Sequence, residues 1–362
     1  MAVLLRSLAL TGFRSLEPLT WSPAPGSHLL LGGTGAGKTS LLEAIYVVAT
    51  TRSFRVRTVG DCLAHRLAAR ADGAFHLEAE VETPGRVRLE VGLSVAEGAW
   101  RRVNGKETTF AEHLAQLPVL AWTSAETEIL VGGPDRRRRF LDRGLVGREP
   151  RSLDALARYR RILGHKRHLL ARRQGGLEAW NEMLAEAAVE VVRRRAELVE
   201  ALGVALAEAL DASGLPFPPV ELVYEPSPEE ALVRPEETQS ALGRLEREER
   251  DRRRPLAGPH LDRLHVRFGG LDLDRVASAG ERKSVGLLLA ASLARVWRQA
   301  GRDPILLLDD ADAEIDRPTL ERLFSVLRGK AQTLFTSNRP EVWEGLEVSH
   351  RWRLERGSLE AL

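Results

Sequence analysis

Cysteine is almost absent from this 362-residue chain, with Cys62 the single instance. That excludes an intrachain disulfide framework and fits a reducing compartment, so a cytoplasmic location is expected and Cys62 reads as a small buried apolar side chain. Lysine is scarce too, five residues against 48 arginines, which gives weight to a lysine inside a recognisable pattern. Aromatics make up only 5% of the residues and do not interleave with the basic runs, which argues against stacking of single-stranded bases. No apolar run approaches membrane-spanning length, and residues 1–13, interrupted by Arg6, lack a signal-peptide layout. Charge of one sign is not in excess either. The net is +2, so total charge is uninformative about nucleic acid. What remains, 43% hydrophobic and 29% charged, describes a soluble globular protein long enough for two domains or for one with a large insertion.

What is present begins with Gly32-Gly33-Thr34-Gly35-Ala36-Gly37-Lys38-Thr39, followed by Ser40. A short apolar run, residues 28–31, precedes it. After it, Leu41, Leu42, Ile45, Val48 and Ala49 share one helical face. Strand, glycine turn and helix form the setting a phosphate-binding loop requires. The glycines let successive N–H groups converge on an anion, and the helix dipole faces the same point. In this pattern Lys38 reaches the β- and γ-phosphates, and the Thr39 hydroxyl ligates Mg²⁺. Such a nucleotide also needs a carboxylate for Mg²⁺ at the end of a neighbouring buried strand. The run 305–308 reads as that strand, and it ends in Asp309-Asp310. Asp309 is expected to hold the metal, and Asp310 to orient or deprotonate an attacking water.

Upstream, Ser278-Ala279-Gly280 opens a helix. It reads either as a simple N-cap on Ser278 or as a second phosphate site, used when two copies face each other. The remaining pattern divides the chain in three. Residues 1–115 are strand-rich around one helix, 116–254 form a mainly helical lobe, and 255–362 complete the nucleotide-binding unit. Within the lobe, residues 136–173 hold fourteen Arg or Lys and three acids, a local net of +11. Leu184, Ala188, Val191, Leu198, Leu202 and Leu206 predict one helix over 177–210, with Arg195 breaking the stripe. Prolines 216, 218, 219, 226, 228 and 235 mark residues 214–235 as a connector.

Several segments in order resemble the RecF family of DNA-gap repair ATPases, whose heads are of ABC/SMC type. They are residues 8–16, the loop helix 37–45, Arg52-Ser53-Phe54-Arg55, Asn104-Gly105-Lys106, Arg137-Arg138-Arg139-Phe140-Leu141-Asp142, 159–163, Gly258-Pro259-His260-Leu261-Asp262, 278–283, 306–310 and 314–316. The signature departs from the family pattern at Ala279 and Glu281, where glutamines are usual. The resemblance implies an α/β fold, an ABC-type P-loop ATPase head with mixed β-sheets and an inserted helical lobe. It implies weak, DNA-linked hydrolysis of ATP with Mg²⁺, and a homodimer formed on ATP binding. In that dimer the loop residues 32–40 of one copy face Ser278 and Gly280 of the other. Thr336, after the last strand, would sense the γ-phosphate. Duplex, junction or gapped DNA would lie on the basic residues Arg52, Arg55 and Arg57 and on the run Arg136, Arg137, Arg138 and Arg139, of which some must be structural because successive helical residues diverge. Partners of the RecR and RecO kind, acting in recombinational repair, are implied as well. A non-hydrolysing nucleotide-gated scaffold and a small-molecule kinase are the other readings.

Overall fold

Strand alternation in the first hundred residues builds an antiparallel sheet. In a computed structural model describing residues 3–227, 234–328 and 332–362, β1 (Leu4–Thr11), β2 (Leu19–Trp21), β4 (Ala74–Glu82), β5 (Arg86–Ser94), β6 (Gly98–Val103) and β7 (Lys106–Glu107) pair in the order β2-β1-β4-β5-β6-β7. Leu77, Ala79, Val81, Leu89 and Val91 point to the buried face, as their period of two requires. A second sheet joins β3 (Ser27–Leu31), β8 (Val119–Trp122), β12 (Ile305–Leu308), β13 (Thr333–Ser337), β14 (His350–Glu355) and β15 (Ser358–Ala361) in the order β15-β14-β3-β13-β12-β8. All of its pairings are parallel except β14–β15. Strand β12, flanked by β13 and β8, is buried along its whole length, as an unbroken aliphatic run in a parallel sheet should be.

Helix α1 (Lys38–Thr50) packs against β4 and β5 of the first sheet and against β8 and β13 of the second. Its apolar positions join residues of both sheets in one core. The buried Gln332 carboxamide accepts from the Leu5 amide at 2.7 Å and donates to its carbonyl at 3.0 Å. Helices α2 (His65–Ala68), α3 (Phe110–Gln116), α10 (Ala279–Gln299) and α11 (Arg317–Leu327) complete this unit. Its contacts embrace residues 1–127, 209–216 and 278–362.

The second unit comprises 128–208 and 217–277. The division falls at 127/128 and 277/278, compared with the 115/116 and 254/255 predicted from sequence pattern. The difference has two causes: β8 belongs to the parallel sheet, and the hairpin after residue 255 belongs to the insert. Helix α4 (Ser124–Val131) runs across the first division point, and α7 (Leu177–Ser213) across 208/209. The insert holds α5 (Pro134–Arg148), α6 (Ser152–Ala171), α8 (Pro235–Arg252), α9 (Leu273–Val276) and most of α7. All six apolar residues of the predicted α7 stripe are buried. The expected connector at 214–235 is corrected: Val220–Glu225 is strand β9, antiparallel to β10 (Arg263–Phe268), which turns at Gly269-Gly270 into β11 (Leu271–Asp272). Pro218 and Pro219 precede that strand, where a missing N–H costs nothing, and Val-Glu-Leu-Val-Tyr then supplies β-branched and aromatic residues. Pro228 lies outside the described residues.

Arg195, the interruption in the α7 stripe, is 3% exposed and organises the insert core. It donates to Asp142 at 2.7 Å, to Asp262 at 2.8 Å and to the Pro259 carbonyl at 2.7 Å. Asp262, fully buried, also accepts from the Tyr224 hydroxyl and, at 3.0 Å, from the Ser227 amide. No helix among the described residues is long and apolar enough to cross a membrane.

Candidate nucleotide-binding site

The glycine loop closes β3 and opens α1 at the carboxyl edge of the parallel sheet, where open α/β sheets place their ligand crevices. Gly37 is the N-cap with φ 107°, left-handed backbone that side chains resist, and no side chain caps the helix. No acid lies in its first turn. The N–H groups of this turn therefore present an uncompensated positive pole. A Cβ on Gly32 would meet the Leu354 carbonyl at 2.3 Å, whereas at Gly33 and Gly35 it would meet nothing within 4 Å. The loop is packed underneath and open on top, where Gly33, Thr34 and Gly35 are exposed. Ala36 is half-buried, and Ser40 is buried. Lys38, 6% exposed, donates to the carbonyls of Gly32 at 2.7 Å and Gly33 at 3.0 Å, so its ammonium lies against the loop.

Strand β12 delivers Asp309 to the same edge. The Thr39 hydroxyl donates to its carboxylate at 2.9 and 3.0 Å, and the Thr336 hydroxyl at 2.8 Å. Burial raises the pKa of Asp309, the neighbouring Asp310 charge adds to that, and the two hydroxyls oppose it. A desolvated carboxylate beside a hydroxyl is a donor set of the hard-oxygen kind that suits Mg²⁺. Asp310 is exposed, in left-handed backbone at φ 47°, and its amide donates to Thr336 Oγ1 at 2.7 Å. Thr336 is therefore fully buried, with its hydroxyl engaged on both aspartates. From there it joins the Asp309 carboxylate to the Asp310 amide.

At the signature turn, Ser278 and Ala279 are exposed and Gly280 is half-buried. Ser278 forms a capping box. Its hydroxyl accepts from the Glu281 amide at 3.3 Å, and the Glu281 carboxylate accepts from the Ser278 amide at 2.7 Å. The acid that replaces the family's glutamine is thus tied back onto its own turn. A Cβ on Gly280 would stand 2.8 Å from the Glu314 carbonyl, which explains glycine there. Lys283, one turn later, is buried, and burial lowers its pKa against the pull of Asp310, Asp309, Glu314 and Asp312. Asp312 is held by the Ser337 hydroxyl at 2.8 Å, and Asp316 caps α11 through the Thr319 amide at 2.9 Å.

Sequence reasoning missed a second cluster on α1. Glu43 is fully buried among the apolar residues of this helix. Its carboxylate accepts from Arg14 Nη2 at 2.7 Å and Nε at 2.9 Å, from the Ser53 hydroxyl, and from Arg55 Nη1 at 3.3 Å. Burial works against its ionisation, but Arg14, Ser53 and Arg55 together hold the carboxyl below the usual range. An acid between Leu42 and Ala44 was the available signal. Cys62, buried beside Glu43, has its thiol pushed up to about 12, first by burial and then by that charge, and is inert.

The arginines differ in placement. Arg52, Arg55 and Arg57 are exposed on the segment after α1, with Arg52 over the Phe110 ring at 5.0 Å. In the α5 run, Arg136 and Arg139 are exposed and Arg137 and Arg138 half-buried. Arg137 donates to the carbonyls of Ile129, Leu130 and Leu264 at 3.1, 3.0 and 2.8 Å. Arg138 pairs with Asp135 and donates to the Asp262 carbonyl at 2.8 Å. These two brace the insert.

Residues 4–358 match the RecF/RecN/SMC N-terminal domain family. The chain is 30% identical over 365 residues to the DNA replication and repair protein RecF of Chlorobium phaeovibrioides, covering 96% of each. It is also 30% identical over 371 residues to that of Streptomyces avermitilis, covering 98% of each. In fold it is similar to the recombination mediator protein RecF solved with ATP, at TM-score 0.86 and 22% identity, covering 100% of this chain and 98% of that one. An Smc head domain from Pyrococcus furiosus matches at TM-score 0.58 and 15% identity, covering 99% and 96%. The architecture is that of an ABC-type P-loop ATPase head with an inserted lobe. Fold, loop geometry and relatives lead to one conclusion: the chain belongs to the RecF family of DNA replication and repair proteins.

Proposed function

We propose that the protein is an ATP-dependent DNA-binding clamp that acts at gapped or junction DNA in recombinational repair. Two copies pair on ATP, hydrolyse it slowly and then separate. The observation that carries this reading is the uncapped α1 N-terminus beside the Thr39–Asp309–Asp310–Thr336 cluster. Residues 32–40 would hold the triphosphate, with Lys38 leaving its loop carbonyls for the β- and γ-phosphates. Mg²⁺, held by Thr39 and Asp309, would supply charge neutralisation of the phosphates. Asp310, exposed and fixed through its amide, would orient the attacking water. Exposure of the Ser278–Gly280 turn supports its use by a second copy, and Glu281 must release the Ser278 amide for a phosphate to take it. The exposed Arg52, Arg55, Arg57, Arg136 and Arg139 would contact DNA phosphates, while Arg137 and Arg138 act structurally. Partners of the RecR and RecO kind follow from family membership.

The test measures ATP turnover and binding to a gapped duplex, with and without ATP. Asp310→Ala should abolish turnover while keeping ATP-dependent DNA binding. Turnover unchanged in that variant would exclude a catalytic role for Asp310, and a wild type that binds ATP without turning it over would favour the non-hydrolysing nucleotide-gated scaffold. Substituting Arg52, Arg55 and Arg57 by glutamine should weaken duplex binding and flatten its salt dependence by about 0.9 per lost contact.

A further inference from the structure

Helix α6 in the insert is basic along its exposed side. Arg161, His165 and His168 are exposed and, with Arg172 at its C-cap, recur at spacings of four, three and four, so they share one face. Arg160 and Arg167 form a second exposed row beside it, with Arg160 paired to Asp142 at 2.7 Å. Asp154, in the first turn, is the acid nearest the first row on this helix. On α7, Glu186 is taken by Arg158 at 2.8 Å. Between the two basic rows lies Gly164, exposed, where a Cβ would meet nothing within 4 Å. Glycine weakens a helix interior, and here no packing requires it. What it provides is close access to the backbone between the cations.

The structure adds an aromatic platform that the sequence does not reveal. The His165 ring stacks on Trp180 of α7, with centroids 4.6 Å apart and planes at 19°. Trp180 packs on the insert core. His165 is exposed, so its outer ring face meets solvent. Trp180 lies outside the basic run 136–173, so its place beside that run is not visible in the sequence. Trp180 lies fifteen residues from His165 in the chain, and the α6–α7 packing brings them together.

We propose that this face of α6 binds single-stranded DNA, with phosphates along the Arg161–Arg172 row and one base stacked on His165. Arg161 and Arg172 lie about 16 Å apart along the helix, with Arg167 on the adjoining row between them, so the face can meet successive phosphates of a strand. A stacking surface is of no use to a duplex, whose bases are already stacked, whereas a single strand leaves its base faces free to meet it. The inference rests on the DNA-binding reading above but concerns a different surface from Arg52–Arg57.

The experiment is fluorescence anisotropy of the full chain on a labelled 30-nucleotide thymidine strand and on a 30-base-pair duplex, titrated over salt. Arg161→Gln with Arg172→Gln should reduce the single-strand salt slope by about 1.4, two contacts at about 0.7 each. His165→Ala should weaken single-strand binding about five-fold or more with the slope unchanged. Duplex binding should stay at the wild-type level in both. Wild-type single-strand affinity and slope in all these variants, with duplex binding intact, would overturn the α6 assignment alone. Equal losses on both DNAs would refute its strand selectivity, and a wild type that binds neither DNA would remove the clamp reading as well.

Discussion

Replacing Glu43 by glutamine keeps the side chain's volume and removes the charge on which Arg14, Ser53 and Arg55 converge. Breaking one partner of a buried ion pair commonly costs about 3–5 kcal/mol. The Arg14 side chain is 18% exposed and that of Arg55 44%, so both cations can partly rehydrate, and the lower figure applies. A loss of about 3 kcal/mol corresponds to a fall in melting temperature of about 6–12 °C for a unit of this size. The pH dependence has a definite sign. The folded pKa of Glu43 lies below its unfolded value of 4.5, so its stabilisation is complete above that pH and is lost as pH falls through the folded value. Calorimetry at pH 7 should show the full gap between wild type and Glu43→Gln, and the gap should narrow below pH 4.5. Arg14→Met added to Glu43→Gln should recover part of the loss, since it removes the cation left unpaired. A Glu43→Gln protein melting within about 2 °C of wild type at pH 7 would refute the reasoning.

Asp309→Asn should stabilise the nucleotide-free protein by about 2 °C or more at neutral pH while abolishing binding of Mg·ATP, as seen in thermal shifts with and without nucleotide. The sign follows from its raised pKa: the ionised form is disfavoured in the fold, so stability falls as pH rises through the folded value, and asparagine removes that cost. His260 is pushed down to about 4, chiefly by burial and then by the Arg167 charge. Its ring Nδ1 is hydrogen-bonded with the Tyr159 hydroxyl at 2.7 Å. Keeping this buried ring neutral gives stability that is present above pH 6.5 and lost as pH falls toward 4, about 3 kcal/mol for a shift of this size. Urea denaturation across that window should flatten in His260→Gln.

Much of the head was readable because its signals are local. A glycine loop needs a strand before it and a helix after it, and β12 is apolar without a break. The α7 stripe could be read because 3.6-residue periodicity survives one interruption. What Arg195 does there could not, since its partners Asp142 and Asp262 lie 53 and 67 residues away. Arg137 and Arg138 look like their exposed neighbours in sequence, and only the helix phase of α5 separates bracing arginines from solvated ones. Prolines concealed β9 because its pairing partner, β10, lies beyond α8. Thr336 could not be placed from its strand position alone, since its burial depends on where the Asp309-Asp310 turn folds back.

The composite nucleotide site is the central claim, and sedimentation of the protein with and without Mg·ATP tests it most directly. The account predicts a monomer that doubles in mass on ATP, and no doubling in Lys38→Ala or Ser278→Arg. A mixture of the two variants should recover pairing through at most one of the two sites. A wild type that binds ATP and stays monomeric, or a Ser278→Arg protein that pairs as the wild type does, would contradict it.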